Sequence, residues 1–235
     1  MELKNKDLKR RIIEISYKNK LSHLGSCLTA VDIIAEIFKV KKPDEKFVLS
    51  SGHAGLALYV VIEKYSQVVR ATDYLMIRAG WNEQNFFDAE KIFEHHGVHP
   101  DYCEECHIDC SSGSLGMGAG IATGIALANR DRLCYALLSD GEMQEGSCYE
   151  ALEVAHQQKL SNLRIYINCN NWGAYQRLEK DHIIDRCRAF TNVNITFRST
   201  NMEEWPEFLQ GQQAHYHTLN EEEYNLCKEI LRDSL

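Results

Sequence analysis

The sequence predicts an α/β fold, a parallel sheet with helices on both faces, formed by a single domain over residues 1–235. Three observations predict it. Residues 135–171 read as strand, acidic turn, helix and strand, which is a βαβ unit. Phe47-Val48-Leu49 is a short apolar run that stops at Ser50-Ser51-Gly52-His53 and leads into an apolar helix. Asn194-Ile195-Thr196-Phe197 supplies a further strand, so strands and helices alternate along the chain.

In order, residues 3–18 place Leu8, Ile12, Ile13, Ile15 and Tyr17 among charges, the pattern of an amphipathic helix. Ser22-His23-Leu24-Gly25-Ser26 reads as a turn, with Thr29 as cap of a helix whose apolar face is Ile33, Ile34, Ile37 and Phe38. Lys41-Lys42-Pro43-Asp44 breaks that helix. The helix over 54–65 is apolar on two sides and is expected to be buried; residues 88–94 are helical, while Trp81-Asn82-Glu83-Gln84-Asn85 has no period. Gly113 to Gly120 opens a helix rich in Gly and Ala, a composition that costs helix stability and is tolerated where a ligand or another backbone comes close. In the βαβ unit, Ala151, Val154 and Ala155 mark the apolar helix face, and Leu163, Ile165 and Ile167 alternate in the second strand. Residues 177–190 read as irregular, 203–209 as a short helix despite Pro206, and Leu226, Ile230 and Leu231 as the apolar face of a last helix.

Composition narrows the function. A net charge of −8 without a basic run argues against nucleic-acid and anionic-membrane partners. The charged N-terminus leads into no apolar segment of signal-peptide type, and no run approaches the roughly 20 apolar residues of a membrane span. Nine cysteines, an odd number and several in apolar segments, fit a reducing, cytoplasmic setting.

In a right-handed βαβ unit both strands end on one edge of the sheet, which brings Asp140 and Asn170 together. A carboxylate and an amide carbonyl with room for phosphate oxygens suit Mg²⁺; equally, Asp140 can cap a helix and Asn170 can make a turn. His23, His53, His99 and His215 each sit beside a turn, where imidazoles can donate to phosphate or move protons. Cys103-x₂-Cys106-x₃-Cys110, with His99 and His107 nearby, invites a zinc reading.

The sequence resembles the N-terminal, diphosphate-binding half of transketolase. The resemblance runs in order through Ser22-His23-Leu24-Gly25, Leu49-Ser50-Ser51-Gly52-His53, His99-Pro100-Asp101, Gly113-Ser114-Leu115-Gly116-Met117-Gly118 and Ser139-Asp140-Gly141-Glu142-Met143-Gln144-Glu145-Gly146. It continues through Tyr149-Glu150-Ala151, Asn168-Cys169-Asn170 and His215, from about residue 12 to 232. It implies a thiamine diphosphate-binding fold, thiamine diphosphate as cofactor and a divalent metal, Mg²⁺ or Ca²⁺. It implies metal ligation by Asp140, the Asn170 side chain and the Trp172 carbonyl, with Gly141 and Glu142 beside the diphosphate. His53 and His215 match histidines reaching the diphosphate and the reacting carbon, and His23 and His99 match substrate-side histidines. Gly113, Ser114, Leu115 and Gly116 match the loop against the cofactor rings, and Glu145 an acid in a proton network across the dimer.

The family binds its cofactor between two domains, and the chain length leaves no room for the second. The resemblance therefore implies a split enzyme: a separate C-terminal transketolase subunit carries the pyrimidine-binding domain, with two of each chain and part of helix 116–128 as interface. The expected reaction is transfer of a two-carbon ketol unit between a ketose and an aldose, on a sugar or sugar phosphate. The alternatives are a thiamine-dependent 2-oxo acid decarboxylase or acyl transferase, acting on a modified or nucleotide-linked sugar, and a non-catalytic partner-binding homologue. Three departures stand out: Ser139 in place of the usual glycine, an unfamiliar stretch at 78–98, and a shortened 171–215 that loses about one strand–helix unit. The His99-Pro100 to Gly113 spacing is close to the family's own, so the resemblance implies no inserted metal knuckle at the cysteines.

Overall fold

The computed structural model describes residues 3–69, 87–200 and 202–232. Among these, a four-stranded sheet in the order β1-β2-β3-β4 forms the centre, with all three neighbouring pairs parallel. Its strands are β1 (Lys46–Leu49), β2 (Cys134–Ser139), β3 (Leu163–Cys169) and β4 (Asn194–Ser199). The helices are α1 (Lys6–Asn19), α2 (Leu24–Val40), α3 (Gly55–Val69), α4 (Ala89–His96), α5 (Met117–Ala128), α6 (Gly146–Gln157), α7 (Lys180–Cys187) and α8 (Glu221–Ile230).

Strand alternation sorts the core into two layers. Phe47, Leu49, Tyr135 and Leu137 point to one face, where α1, α2, α3, α4 and α8 contribute buried residues such as Ile12, Ile34, Tyr59 and Ile92. Val48, Ala136, Leu138, Ile165 and Ile167 point to the other, against Ala122 and Ala126 of α5, Leu152 and Ala155 of α6 and Ile183 of α7. Both faces are covered, as the near-continuous apolar strands require.

Several sequence expectations are corrected. The 22–26 segment is not all turn: α2 already opens at Leu24, with His23 at its N-cap in the left-handed region (φ 66°). Thr29 therefore lies inside α2, and its hydroxyl donates to the Gly25 carbonyl at 2.9 Å instead of capping. Residues 177–190 are not irregular, since α7 occupies their centre and packs Ile183 and Cys187 into the core. Val154 is exposed; the buried stripe of α6 is Cys148, Ala151, Leu152 and Ala155. Leu226 is likewise exposed, and Cys227 and Leu231 fill the α8 contact. Only Glu207–Leu209 of the expected 203–209 helix forms, as a single 3₁₀ turn after Pro206, whose ring cannot sit inside a helix. The aperiodic stretch 81–85 lies outside the described residues.

The glycine content of α5 has a local reason. A Cβ on Gly118 would stand 2.5 Å from Ser50 Cβ, so the helix rests directly on the end of β1. The roughly 1 kcal/mol that each helical glycine costs is outweighed by the overlap that a side chain would create there. At the other end, Asn162 clamps the turn between α5 and β2. Its buried Nδ2 donates to the carbonyls of Ala126, Asn129 and Arg132 at 2.9, 3.0 and 2.9 Å. Asn162→Ala leaves those carbonyls without their donor and is expected to destabilise the chain by about 2–3 kcal/mol, measured by urea unfolding.

Candidate active site

Parallel pairing places the carboxyl ends of β1, β2 and β3 on one edge. Ser139 is in register with Asn168, so the residues that follow, Asp140 and Asn170, meet there as expected. Asp140 is fully buried. Its Oδ1 accepts from the Gly141 N–H at 3.1 Å and its Oδ2 from the Asn171 N–H at 2.6 Å. Asn171 adopts a left-handed conformation (φ 66°), which turns the end of β3 back over Asp140. The Asn170 Oδ1 accepts from the Trp172 N–H at 2.9 Å, and the Trp172 carbonyl oxygen lies 3.8 Å from where a Cβ on Gly141 would stand. Burial pushes the Asp140 carboxyl up from 3.8 to about 7, against the pull of the backbone N–H groups.

Glu142, two residues on, is equally buried but differently used. Its Oε1 accepts from Ser50 Oγ at 2.5 Å and the Gly116 N–H at 3.1 Å. Its Oε2 accepts from the Ser139 N–H at 2.9 Å and Ser139 Oγ at 3.3 Å. The carboxylate thus clasps the end of β1, the end of β2 and the loop before α5. Ser139, a departure from the usual glycine, adds a donor to this clasp and leaves Asp140 untouched. Gly116 caps α5 at φ 80°, and a Cβ there would meet Ser147 Oγ and Glu145 Cβ. The Gly116 and Gly141 N–H groups both donate to carboxylates, of Glu142 and Asp140. Glu142 is a positioning residue here, because protein donors occupy both its oxygens.

The histidines assemble. Ring centroids lie 4.5 Å apart for His23 and His215, 5.3 Å for His23 and His53, and 5.7 Å for His53 and His215. The His23 N–H donates to the His215 carbonyl at 2.9 Å, tying the α2 entry to the segment before α8. Burial, then the neighbouring imidazoles, depresses His23 to about 4 and His53 to about 3, and burial also lowers His215. His23 and His53 are neutral at pH 7, not poised near 6.5. His99 is exposed and faces Gly113, where a Cβ would lie 3.1 Å from its ring. Its proximity is a minor cause of the lowering at both His23 and His53. Tyr216, overlooked in the sequence although it adjoins His215, lies edge-on to the His23 ring at 5.8 Å. Ser114, Leu115 and Glu145 line the exposed lip, and Glu145 occupies the α6 N-cap without a side-chain bond there.

The donor set fits the implied groups. A buried carboxylate whose partners among the described residues are backbone N–H groups lacks a counter-charge. With the Asn170 amide and the Trp172 carbonyl it forms an all-oxygen set suited to a hard divalent cation.

Comparison with known proteins agrees with the geometry. The sequence model of the 1-deoxy-D-xylulose-5-phosphate synthase family matches residues 1–180. The chain is 32% identical over 184 residues to a protein from Phocaeicola vulgatus named as one of the subunits of an apulose-4-phosphate transketolase, covering 72% of this chain and 60% of that protein. It is 32% identical over 188 residues to transketolase from Homo sapiens, covering 72% and 28%. The crystal structure of Campylobacter jejuni transketolase superposes with a TM-score of 0.71 at 20% identity, over 95% of this chain and 41% of that one, a likeness of fold. The chain belongs to the transketolase family and corresponds to its N-terminal domain. It spans 60% or less of the length of these relatives.

The raised Asp140 pKa gives a stability test on the metal-free chain. Between its ordinary 3.8 and about 7 the folded state holds a proton that the unfolded state has released. Stability from this group is therefore fully present below pH 3.8 and lost as pH rises through 7. The neutral isostere Asp140→Asn is expected to be more stabilising at pH 8 than at pH 5, with a difference of about 2–3 kcal/mol at most, read by urea unfolding at both values.

Proposed function

We propose that this chain is the diphosphate-binding subunit of a two-chain, thiamine diphosphate-dependent transketolase-like enzyme. It transfers a two-carbon ketol unit between a ketose and an aldose. The observation that carries the reading is the buried Asp140 carboxylate without a counter-charge, set on one sheet edge with Asn170 and three packed imidazoles. Asp140, Asn170 and the Trp172 carbonyl would hold Mg²⁺ or Ca²⁺, which in turn holds the diphosphate. Thiamine diphosphate supplies carbanion chemistry when bound.

This chain's own residues then bind and orient. The turns at 140–142 and 170–172 position the metal ligands, and the 113–116 loop, fixed by Glu142, forms a wall beside them. His53 and His215 line the cofactor side; His23 and His99 face the substrate. Kept neutral by burial, His23 through Nε2, its Nδ1 being bonded to Ser22 Oγ at 2.7 Å, and His53 through its ring can donate or accept at sugar hydroxyls. They suit a polyhydroxylated substrate better than the carboxylate of a 2-oxo acid, which cations recognise.

A separate partner is supported by the Phocaeicola vulgatus relative, whose name makes it one subunit of its enzyme. It is also supported by a stripe of α5 in which Met117, Gly120, Gly124 and Leu127 are exposed, with open space over both glycines. In this reading the partner carries the pyrimidine-binding domain, two of each chain assemble, and Glu145 on the lip faces the partner's side.

Co-expression with a candidate partner chain, followed by assays on ketose phosphates and on 2-oxo acids, tests the proposal. Ketol transfer by the pair and none by either chain alone is expected. Full turnover by this chain alone, or activity of the pair on 2-oxo acids only, overturns it. In the assembled pair, Asp140→Ala is expected to lower metal-dependent thiamine diphosphate affinity by about 100-fold or more while the circular dichroism spectrum is kept. Unchanged affinity would remove Asp140 from the metal site.

A further inference from the structure

The histidine that closes α4 has no role in the site above. His96 Nε2 is buried and has no hydrogen-bond partner among the described residues. A buried imidazole nitrogen without a partner is costly and calls for an explanation. Among the described residues, the sulfurs grouped with it belong to the cysteine run, though not in the grouping the sequence suggests. One ring nitrogen of His96, Cys103 Sγ and Cys106 Sγ all lie within 4.8 Å of one another. His99, His107 and Cys110 are not part of this cluster.

The local fold presents both sulfurs together. Cys103 and Ile108 exchange backbone hydrogen bonds at 3.0 and 2.9 Å, and His107 takes the left-handed conformation (φ 57°) that closes the hairpin. The Cys106 N–H donates to Cys103 Sγ at 3.1 Å, an arrangement that favours negative charge on that sulfur. The seven other cysteines are buried and free, filling space as small apolar residues. Cys103 and Cys106 are instead joined to each other in this structure. A bridge across so short a loop restrains the unfolded chain least, so its value to folding is small.

We propose that Cys103 and Cys106, once reduced, form with His96 a zinc-binding site. Three donors around a tetrahedral zinc stand about 3.5–3.8 Å apart, a small adjustment from the present cluster. Glu105, whose carboxylate lies 3.7 Å from Cys103 Sγ, or water completes the fourth position. A dithiol reductant supplies two electrons and two protons, the S–S bond breaks to give two thiols, and the reductant leaves as its own disulfide. Zn²⁺ then displaces the two thiol protons as two Zn–S bonds and one Zn–N bond form. The ion joins the end of α4 to the hairpin on either side of residues 97–102, and so braces His99. That consequence rests on the proposed role of His99; ion binding itself does not.

The test uses the full chain, stripped of metal, held reduced with a phosphine and titrated with Co²⁺ and then Zn²⁺. About one ion per chain is expected, with a thiolate-to-cobalt charge-transfer band in the near ultraviolet. Cys103→Ser and Cys106→Ser are expected to abolish the band. His96→Ala and the milder His96→Gln should weaken zinc binding by more than about 100-fold, since even loss of a group behind a ligand costs 10–100-fold. Cys110→Ser should change neither. Mild oxidation should release the ion, and the phosphine should restore its binding. Absence of the band in the reduced wild type, its persistence in Cys103→Ser, or unchanged affinity in a folded His96 variant overturns the site. Loss of ketol transfer with zinc binding intact would bear on the proposed function alone.

Discussion

Everything on the working edge of this sheet depends on burying two carboxylates, two positions apart, at the end of one strand. A carboxylate removed from water is costly unless it is hydrogen-bonded or paired. Glu142 is satisfied by Ser50, Ser139 and Gly116, and this draws three chain segments into a fixed arrangement. Hydrogen bonds to a charged acceptor contribute about 1.5–3 kcal/mol each, and the one from Gly116 ties the loop before α5 into this clasp. Asp140 is held by two N–H groups and has no counter-charge among the described residues, so burial holds its proton up to about 7. One carboxylate ties three chain segments together; the other is the residue proposed to hold the metal.

The histidines carry the opposite electrostatic logic. Burial and mutual repulsion hold His23 and His53 neutral, so the folded chain resists protonation that the unfolded chain accepts below about 6.5. Stability from these groups is present above 6.5 and lost as pH falls toward 4. Asp140 works the other way between 3.8 and 7. This edge disfavours both a free carboxylate and free imidazolium groups. Residues that strain the empty fold in this way are typical of sites shaped by ligand chemistry.

Much of this was legible in sequence. The 140–170 spacing survives because a parallel βαβ unit returns both strand ends to one edge whatever the helix between them contains. The strands were visible because fully buried parallel strands are short apolar runs, as at 134–139. What was not legible turned on side-chain choices that periodicity does not encode. Thr29 fits a cap by type, but the left-handed His23 starts α2 earlier. Glu142 sits within a motif read as touching the cofactor, yet its oxygens are taken by Ser50, Ser139 and Gly116, residues up to 92 positions away. Of the cysteine–histidine grouping read from the sequence only Cys103 and Cys106 stand together, and the third member is His96, which ends α4 and which no local spacing reveals. The shortened 171–215 segment kept the strand that pairs directly with β3.

The central claim is that Asp140 and Asn170 hold the metal that anchors a diphosphate. Anomalous diffraction from crystals of the assembled pair grown with Mn²⁺ and thiamine diphosphate tests it most directly. The account predicts one strong peak within about 2.2 Å of an Asp140 carboxylate oxygen and the Asn170 amide oxygen. A diphosphate held with no peak there, or a peak ligated by other residues, would contradict it.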